Sequence, residues 1–263
     1  MAKWNKFPHD QKAITYAADA LKKNWDALHK GDGETYPKEA ALQEAWRQFH
    51  AGNFAEAAKA GEGHTVAIKS TSIYANHLEK KDAAKVALYQ EAMAMAGALM
   101  KSDAKNPNAH YQFAYAAGRY SQSISVMKAL KEGYGGKIKT ALETALKLDA
   151  KHAEAHTAMG AYHAEIIDKV GGMVGKLTYG ANKEASIEHF EKAIKLNPSS
   201  PIAHIEYANG LLMLFGDKQE DKAVELYEKA AKMKGRDAME VLDIEMAKAE
   251  LEEPHCRRRS STT

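Results

Sequence analysis

The stretch Phe190-Glu-Lys-Ala193-Ile-Lys-Leu-Asn-Pro198 has an aromatic residue, an alanine three positions later and a proline five positions after the alanine. Related stretches occupy residues 142–150 and 227–233. Alanine has the highest helix propensity, whereas proline is excluded from a helix interior and accepted at its first position. The stretch therefore predicts a helix that ends before Pro198 and a following helix that this proline opens.

A second motif alternates with the first along the chain, so the repeating unit is a pair of helices. It has Ala-His, then a large apolar residue three positions after the histidine, then a small residue, within residues 108–118, 154–164 and 202–212. Small residues let the paired helix approach, and large ones fill the space between neighbouring pairs. The large residues are Phe113, Met159 and Tyr207, and the small ones are Ala114, Gly160 and Ala208.

Helical spacing of apolar residues extends beyond these repeats. Residues 14–28 follow the helical period, as do residues 42–49, 86–100 and 239–249. The 48 alanines, about 18 % of the chain, favour close-packed helices. No segment shows the alternation of a β-strand bounded by turn residues. The sequence therefore predicts an all-α fold.

These motifs resemble the tetratricopeptide repeat family, whose second helix has the pattern aromatic-x-x-Ala-x-x-x-x-Pro. The resemblance implies a right-handed superhelical array of antiparallel helix pairs, an α-solenoid, with a concave groove. The family's unit is about 34 residues, whereas His110, His156 and His204 are 46 and 48 residues apart. The excess lies in residues 119–137 and 165–184, where glycines cluster. We therefore expect extended helices joined by long loops.

The repeats also predict how the chain is organised. Residues 1–253 are expected to form one helical-repeat domain. Within it, residues 1–103 hold divergent repeats, residues 104–235 hold three helix pairs, and residues 236–253 form a capping helix that gives the array a polar outer face. Residues 254–263 are expected to be a disordered basic tail.

Charge and cysteine content exclude several classes of protein. Lys and Arg number 37 against 35 Asp and Glu, and three of the positive charges are Arg257, Arg258 and Arg259. The helical body therefore has no excess of basic charge, and nucleic-acid binding is not predicted. The single cysteine, Cys256, suits a reducing compartment. No stretch reaches the roughly 18 apolar residues of a membrane span, and no secretory signal is apparent. We predict a cytoplasmic protein without a membrane span.

The twelve histidines do not predict a metal site. His152 and His156 are four residues apart, but such a pair on a helix is more often incidental than a chelating site. His110, His156 and His204 hold equivalent repeat positions, and helices about 8–10 Å apart keep them too distant for ligand bonds near 2 Å. We expect their ring nitrogens to contact nearby backbone or hydroxyl groups. No catalytic motif emerges, so no catalytic residue, metal or cofactor is predicted.

The resemblance to the repeat family also implies which residues line the groove. They lie one position after the histidine of the first helix, and then four and eight positions further on. These positions hold Tyr111, Tyr115 and Arg119, then Thr157, Ala161 and Glu165, then Ile205, Asn209 and Met213. Tyr and Arg are enriched at binding hot spots, which favours the first three. The alternative is that these side chains pack against the long inserts.

The long helices are similar to those of two branches of the repeat family: the regulator of microtubule dynamics family and the repeat component associated with some bacterial TRAP transporters. Both branches imply contact with a protein partner, a lipid or a small ligand. We predict a non-enzymatic scaffold that binds a protein or peptide segment in its concave groove. The alternative is a carrier or sensor of a small hydrophobic or amphipathic ligand, such as a lipid, held in a pore formed by the extended helices.

Overall fold

The computed structural model describes residues 4–17 and 19–252. Helices joined by short turns account for most of these residues, and no strand occurs among them, so the all-α prediction is confirmed. The helices are α1 (Ala20–Leu28), α2 (Ala40–His50), α3 (Phe54–Ala60), α4 (Thr65–His77), α5 (Asp82–Ser102), α6 (Pro107–Gln122), α7 (Val126–Lys131), α8 (Tyr134–Leu148), α9 (Ala153–Val170), α10 (Gly172–Val174), α11 (Lys183–Leu196), α12 (Pro201–Phe215), α13 (Glu220–Ala231) and α14 (Ala238–Glu252).

The described residues form two compact units. The first unit lies within residues 1–155 and 236–239, and the second within residues 156–235 and 240–263. In each unit, most of the helix packing joins elements that are close together in the sequence. Packing of this kind is expected of a helical-repeat protein.

The first helices of two repeats begin with the same local features. The side chain of Asn106 accepts a backbone N–H in the first turn of α6, and Pro107 occupies the first helical position. Ser200 and Pro201 play these roles at the start of α12. The first N–H groups of a helix have no partner within the helix, and a polar capping side chain accepts a hydrogen bond from one of them. Proline at the first position therefore costs no helical hydrogen bond. The expectation that Pro198 opens the helix is therefore wrong by three residues, because the better start lies at Ser200 and Pro201.

In the first unit, α4, α5, α6 and α8 pack against their neighbours in sequence order. Ala92 and Ala96 on α5 form a buried cluster with Ile68 of α4 and Ala116 of α6. Alanine side chains let helix axes approach closely while still removing apolar surface from water. Part of the alanine excess therefore serves close helix packing, as the composition predicts.

The core of the second unit is built around Phe190 of α11. This side chain is fully buried and stacks on Tyr207 of α12, with 5.2 Å between ring centroids. A Cβ atom built on Gly160 would lie 2.8 Å from the Phe190 ring, and one built on Gly210 would lie 2.5 Å from it. Gly160 is thus a small position at which helices approach, as predicted. Gly210 is a second such position, which the repeat motif did not identify.

The predicted N-terminal helix over residues 14–28 is shorter than expected, since α1 begins only at Ala20. Residues 15–17 lie outside any helix because tertiary contacts hold them. The hydroxyl of Tyr16 donates to the carbonyl oxygen of Arg236 at 2.6 Å, and Nε of Arg47 donates to the carbonyl oxygen of Tyr16 at 2.8 Å. Contacts of this kind override local helix propensity.

The two inserts are not the long loops that the glycines suggested. The first contains α7, and α8 begins just after it at Tyr134. The second contains α10 and a π-helical turn, Gly175–Tyr179. The handedness of the array and its unity as one domain stay predictions. The predicted tail, residues 254–263, lies outside the described residues.

Candidate partner-binding face

Three of the predicted groove residues lie on one face of α6. Tyr111, Tyr115 and Arg119 are four residues apart, and this spacing places them above one another on a helix. The Arg119 guanidinium carbon lies 5.3 Å from the centre of the Tyr115 ring, and the Tyr111 and Tyr115 ring centroids are 6.3 Å apart. Tyr111 is buried, whereas Tyr115 and Arg119 are half-buried. We call these three residues the α6 face.

Tyr111 connects this face to polar groups in the interior. Its hydroxyl is hydrogen-bonded to the carboxylate of Glu154, and its ring centroid lies 4.8 Å from that of His152. Burial, followed by the charge of Glu154, raises the pKa of Tyr111 well above its usual value. The phenol therefore stays protonated and can act as a hydrogen-bond donor to Glu154.

A buried lysine lies behind the α6 face. Lys69 is on α4 and is only 5 % exposed, and its Nζ lies 2.6 Å from Oδ2 of Asp32 and 3.0 Å from Oε1 of Glu154. Oδ1 of Asp32 in turn lies 2.9 Å from Nδ1 of His29. We call Lys69, Asp32 and Glu154 the Lys69 network. Such a buried ammonium is compatible with folding only when its charge is paired.

The two carboxyl groups of the Lys69 network differ in pKa because they share one ammonium group. Burial raises the pKa of Asp32, but Lys69 and His29 outweigh burial and hold this pKa well below its usual value. Burial raises the pKa of Glu154 to about 7, and the charge of Asp32 adds to the shift while Lys69 opposes it. Lys69 itself has a raised pKa, because Asp32 and Glu154 together outweigh the effect of burial. Asp32 and Lys69 are therefore the permanent ion pair, and Glu154 is the titrating member.

A third carboxyl group, that of Glu34, connects the N-terminal part of the chain to α4 and α6. Its Oε2 accepts hydrogen bonds from the Thr65 hydroxyl at 2.7 Å and from the Asn108 amide at 3.0 Å. Burial raises the pKa of Glu34 to about 7, with a further contribution from the charge of Asp32. Both α4 and α6 donate a hydrogen bond to this carboxyl group, and these bonds hold α6 in position beside α4.

The sequence model of the family described as Regulator of microtubule dynamics protein 1-3 matches residues 66–253, which is more than half of the chain. The chain belongs to this family. The match confirms one of the two branches suggested by the sequence, whereas membership of the wider tetratricopeptide superfamily stays a prediction. No curated protein matches the chain. Within the described part of the chain, no helix is both long and apolar enough to cross a bilayer.

The region shared with the family contains only part of the Lys69 network. Lys69 and Glu154 lie inside the matched residues, as does the α6 face, whereas Asp32 precedes them. The strongest partner of the buried ammonium therefore comes from the N-terminal residues that the family model does not cover.

The predicted groove residues of the second unit are placed less uniformly. Thr157 is buried, Glu165 is half-buried, and Met213 is 38 % exposed. Asn209 is half-buried and its side-chain oxygen accepts a hydrogen bond from the Tyr227 hydroxyl. At the two remaining predicted groove positions of this unit, Ile205 is buried and Ala161 is half-buried. Met213 is thus the most accessible of the predicted residues in this unit.

Two of the three repeat histidines bind backbone oxygens, as predicted. Nε2 of His110 lies 3.1 Å from the Ala104 oxygen, and Nδ1 of His204 lies 2.9 Å from the Ser200 oxygen. His156 differs, because its Nδ1 lies 2.8 Å from Nδ1 of His189. Burial and the neighbouring histidines lower the pKa of His189 to about 4. Among residues 4–17 and 19–252, no three His, Cys, Asp or Glu side chains form a group suited to a metal.

The Lys69 network was not identified from the sequence. Asp32 lies between Gly31 and Gly33, in a segment without a binding or catalytic motif. Lys69 lies among apolar and small residues on α4, a helix whose residues 65–75 are all buried. A charged residue within such a run is the one local indication that an ion pair is buried there.

The raised pKa of Glu154 predicts a specific pH dependence. The folded chain keeps a proton that the unfolded chain loses above about pH 4.5, so this stabilising contribution is complete below that pH and is lost as the pH rises through about 7. Glu154→Gln removes the titration. The fall in unfolding free energy between pH 5 and pH 8 should therefore be smaller in the variant, by about 1–3 kcal/mol. Urea denaturation at several pH values measures it.

Glu143→Gln provides the control for this experiment. Glu143 is exposed on α8 and pairs with Lys139 at 3.8 Å, outside the Lys69 network. The stability of the Glu143→Gln variant should depend on pH in the same way as that of the unaltered protein. A Glu154→Gln profile that also follows the unaltered protein would show that Glu154 does not titrate in this range.

Proposed function

We propose that this protein is a non-enzymatic adaptor that binds a protein or peptide partner through the α6 face. The observation that carries the proposal is the cation–π pair of half-buried Tyr115 and Arg119, on the same face of α6 as buried Tyr111. Tyrosine and arginine dominate binding hot spots, because they combine apolar area with directional hydrogen bonds. The family's description as a regulator supports a binding role rather than catalysis.

The face has a definite chemical preference. Arg119 donates through Nη1 to Oε1 of Gln122 at 3.1 Å, and its guanidinium carries five N–H donors in a planar arrangement that suits a carboxylate. Tyr115 offers an aromatic surface beside it. A matching partner segment presents a carboxylate close to an apolar side chain. The Lys69 network supports binding indirectly, since it fixes Tyr111 and so limits the conformational entropy lost when a partner docks.

The test compares partners captured by the unaltered protein and by a Tyr115→Ala, Arg119→Ala double variant from cells of the source organism. For a partner that is recovered and purified, we expect the double variant to bind at least about thirtyfold more weakly, because each hot-spot residue contributes at least about 1 kcal/mol. Isothermal titration calorimetry gives the two dissociation constants.

A control variant, Lys232→Ala, alters an exposed ion pair with Glu228 in the other unit and should leave binding unchanged. Purified microtubules are a further probe, because the family's description names their dynamics. The proposal fails if every captured partner binds the double variant as tightly as it binds the unaltered protein.

The other predictions made from the sequence are independent of this binding experiment. The groove across all repeats, the tetratricopeptide assignment, the cytoplasmic location and the lack of nucleic-acid binding stay predictions. The alternative role as a carrier of a small hydrophobic or amphipathic ligand predicts a bound lipid or metabolite in native mass spectra of the purified protein. Spectra without such a ligand, together with no thermal shift across a lipid panel, would contradict that alternative.

A further inference from the structure

The helix α7 exposes an unusual amount of apolar surface for its size. None of its six residues is buried, and Met127 is 77 % exposed, Val126 42 % and Leu130 36 %. The spacing of these three residues places them within one face of the helix. Isolated exposed apolar residues are ordinary, but three on one face of a short helix form a patch.

Lysines occur within α7 and shortly after it in the chain. Residues 126–137, which we call the α7 tip, contain Lys128, Lys131 and Lys137 against Glu132 as the one acidic residue. The amine of Lys128 lies 4.0 Å from the Glu132 carboxylate, a weak exposed contact. The tip therefore combines exposed apolar side chains with a net positive charge.

The combination distinguishes the α7 tip from the other exposed apolar segment of the described chain. Met173, Val174 and Leu177 are also exposed, but within residues 171–180 the one charged residue is Lys176. Among the residues that the structure describes, only the α7 tip joins an apolar patch to several lysines. Its occupant must therefore offer both an apolar region and negative charge.

We propose that the α7 tip docks onto the surface of a bilayer that contains anionic lipids. Met127, Val126 and Leu130 enter the boundary between headgroups and acyl chains, and the lysines reach the phosphates with their flexible stems. The proposal does not depend on the proposed function, because the tip and the α6 face share no residue.

A second copy of the chain fits the tip less well. Stable dimer interfaces bury roughly 1,600 Å² in total, far more than three side chains on a six-residue helix can supply. Pairing two tips would also bring lysine clusters together, which costs free energy. A bilayer avoids both difficulties because its surface is continuous, negatively charged and apolar a few ångströms below the headgroups.

The first experiment measures binding of the full chain to sedimented vesicles. One set is phosphatidylcholine alone, and the other contains about one third phosphatidylserine, a composition chosen to give a negative surface potential. We expect binding to the anionic vesicles that weakens as salt is raised. Met127→Ser with Leu130→Ser should reduce the partition coefficient at least about fivefold, because two apolar side chains no longer enter the boundary. Lys131→Ala with Lys137→Ala should reduce it at least about tenfold.

Leu148→Ser is the matched control, since Leu148 is 39 % exposed at the opposite end of α8 from the tip. It should change binding less than twofold. Because α7 has no buried residue, the tip variants should keep the circular dichroism and melting temperature of the unaltered protein. A variant that binds normally despite these substitutions overturns the proposal.

A second measurement reports insertion directly. In a Cys256→Ser background, an environment-sensitive fluorophore attached at Met127→Cys should brighten on anionic vesicles, whereas the same fluorophore at Leu148→Cys should not. No change at Met127→Cys overturns the proposal. Binding to soluble polyglutamate without binding to vesicles also overturns it, and would point to an acidic protein as the occupant.

Discussion

Replacing Lys69 by methionine is expected to lower the free energy of unfolding by about 3–5 kcal/mol. Methionine is similar in length and apolar, so the change in packing is small and the loss is electrostatic. Without the ammonium, buried Asp32 and partly buried Glu154 are left as neighbouring carboxylates with no cation between them. Urea denaturation of the full chain at pH 7 measures the loss.

Lys232→Met is the matched control for this prediction. Lys232 also pairs with a carboxylate, Glu228 at 2.7 Å, but its side chain is 75 % exposed. Exposed pairs of this kind contribute little, so its loss should cost less than about 0.5 kcal/mol. Equal losses in the two variants would mean that the burial of Lys69 has no energetic consequence.

The loss from Lys69→Met should also depend on pH in a definite direction. The low pKa of Asp32 depends on Lys69, and its stabilising contribution is present above about pH 4 and lost as the pH falls through its lower folded value. In the variant, both carboxyls of the network can be neutralised by protons at mildly acidic pH. The gap between the two proteins should therefore be widest near pH 7 and should narrow towards pH 4.

Much of the fold could be predicted from the sequence because it depends on local spacing. The alanine positions of the repeats, among them Ala114, Ala145 and Ala208, are all buried. Helix spacing alone places them on packed faces. The start of α1 could not be predicted, since the contacts of Tyr16 that hold the preceding residues extended join positions 31 and 220 residues apart.

In the candidate site, too, some features follow from local spacing and others depend on contacts between distant residues. The position of Tyr115 and Arg119 on one face of α6 follows from their spacing of four residues. The burial of Tyr111 does not, because it depends on Glu154 and His152, which lie more than 40 residues away in the chain. The pairing of Asp32 with Lys69 is equally non-local and has no motif. Such contacts become visible only when the packing of distant helices is known.

The second large effect is expected at Phe190. Phe190→Ala should lower the free energy of unfolding by about 3–5 kcal/mol, because a fully buried ring is replaced by a cavity between helices that cannot collapse completely. Phe215→Ala is the control of the same residue type in the same unit. Phe215 is only partly buried against this core, so it should cost less than half as much. Equal costs would mean that Phe190 does not organise the core.

The contact between Phe190 and Gly210 can be tested by a double substitution. Gly210→Ala should destabilise the protein by about 1–3 kcal/mol, because the added Cβ would lie 2.5 Å from Cε2 of the ring. In a Phe190→Leu background the atoms Cε2 and Cζ are absent. Alanine then has room, and its higher helix propensity, worth up to about 1 kcal/mol, should make Gly210→Ala neutral or stabilising there.

Gly160→Ala should behave differently in the same background. Its added Cβ would meet Cγ and Cδ1 of Phe190, both at 2.8 Å, and leucine retains atoms at those positions. The cost of Gly160→Ala should therefore persist when Phe190 is replaced by leucine. A rescue of both glycine substitutions, or of neither, would contradict the geometry, because the two glycines face different edges of one ring. Relief at Gly210 alone would show that each of the two glycines is matched to particular atoms of the Phe190 ring.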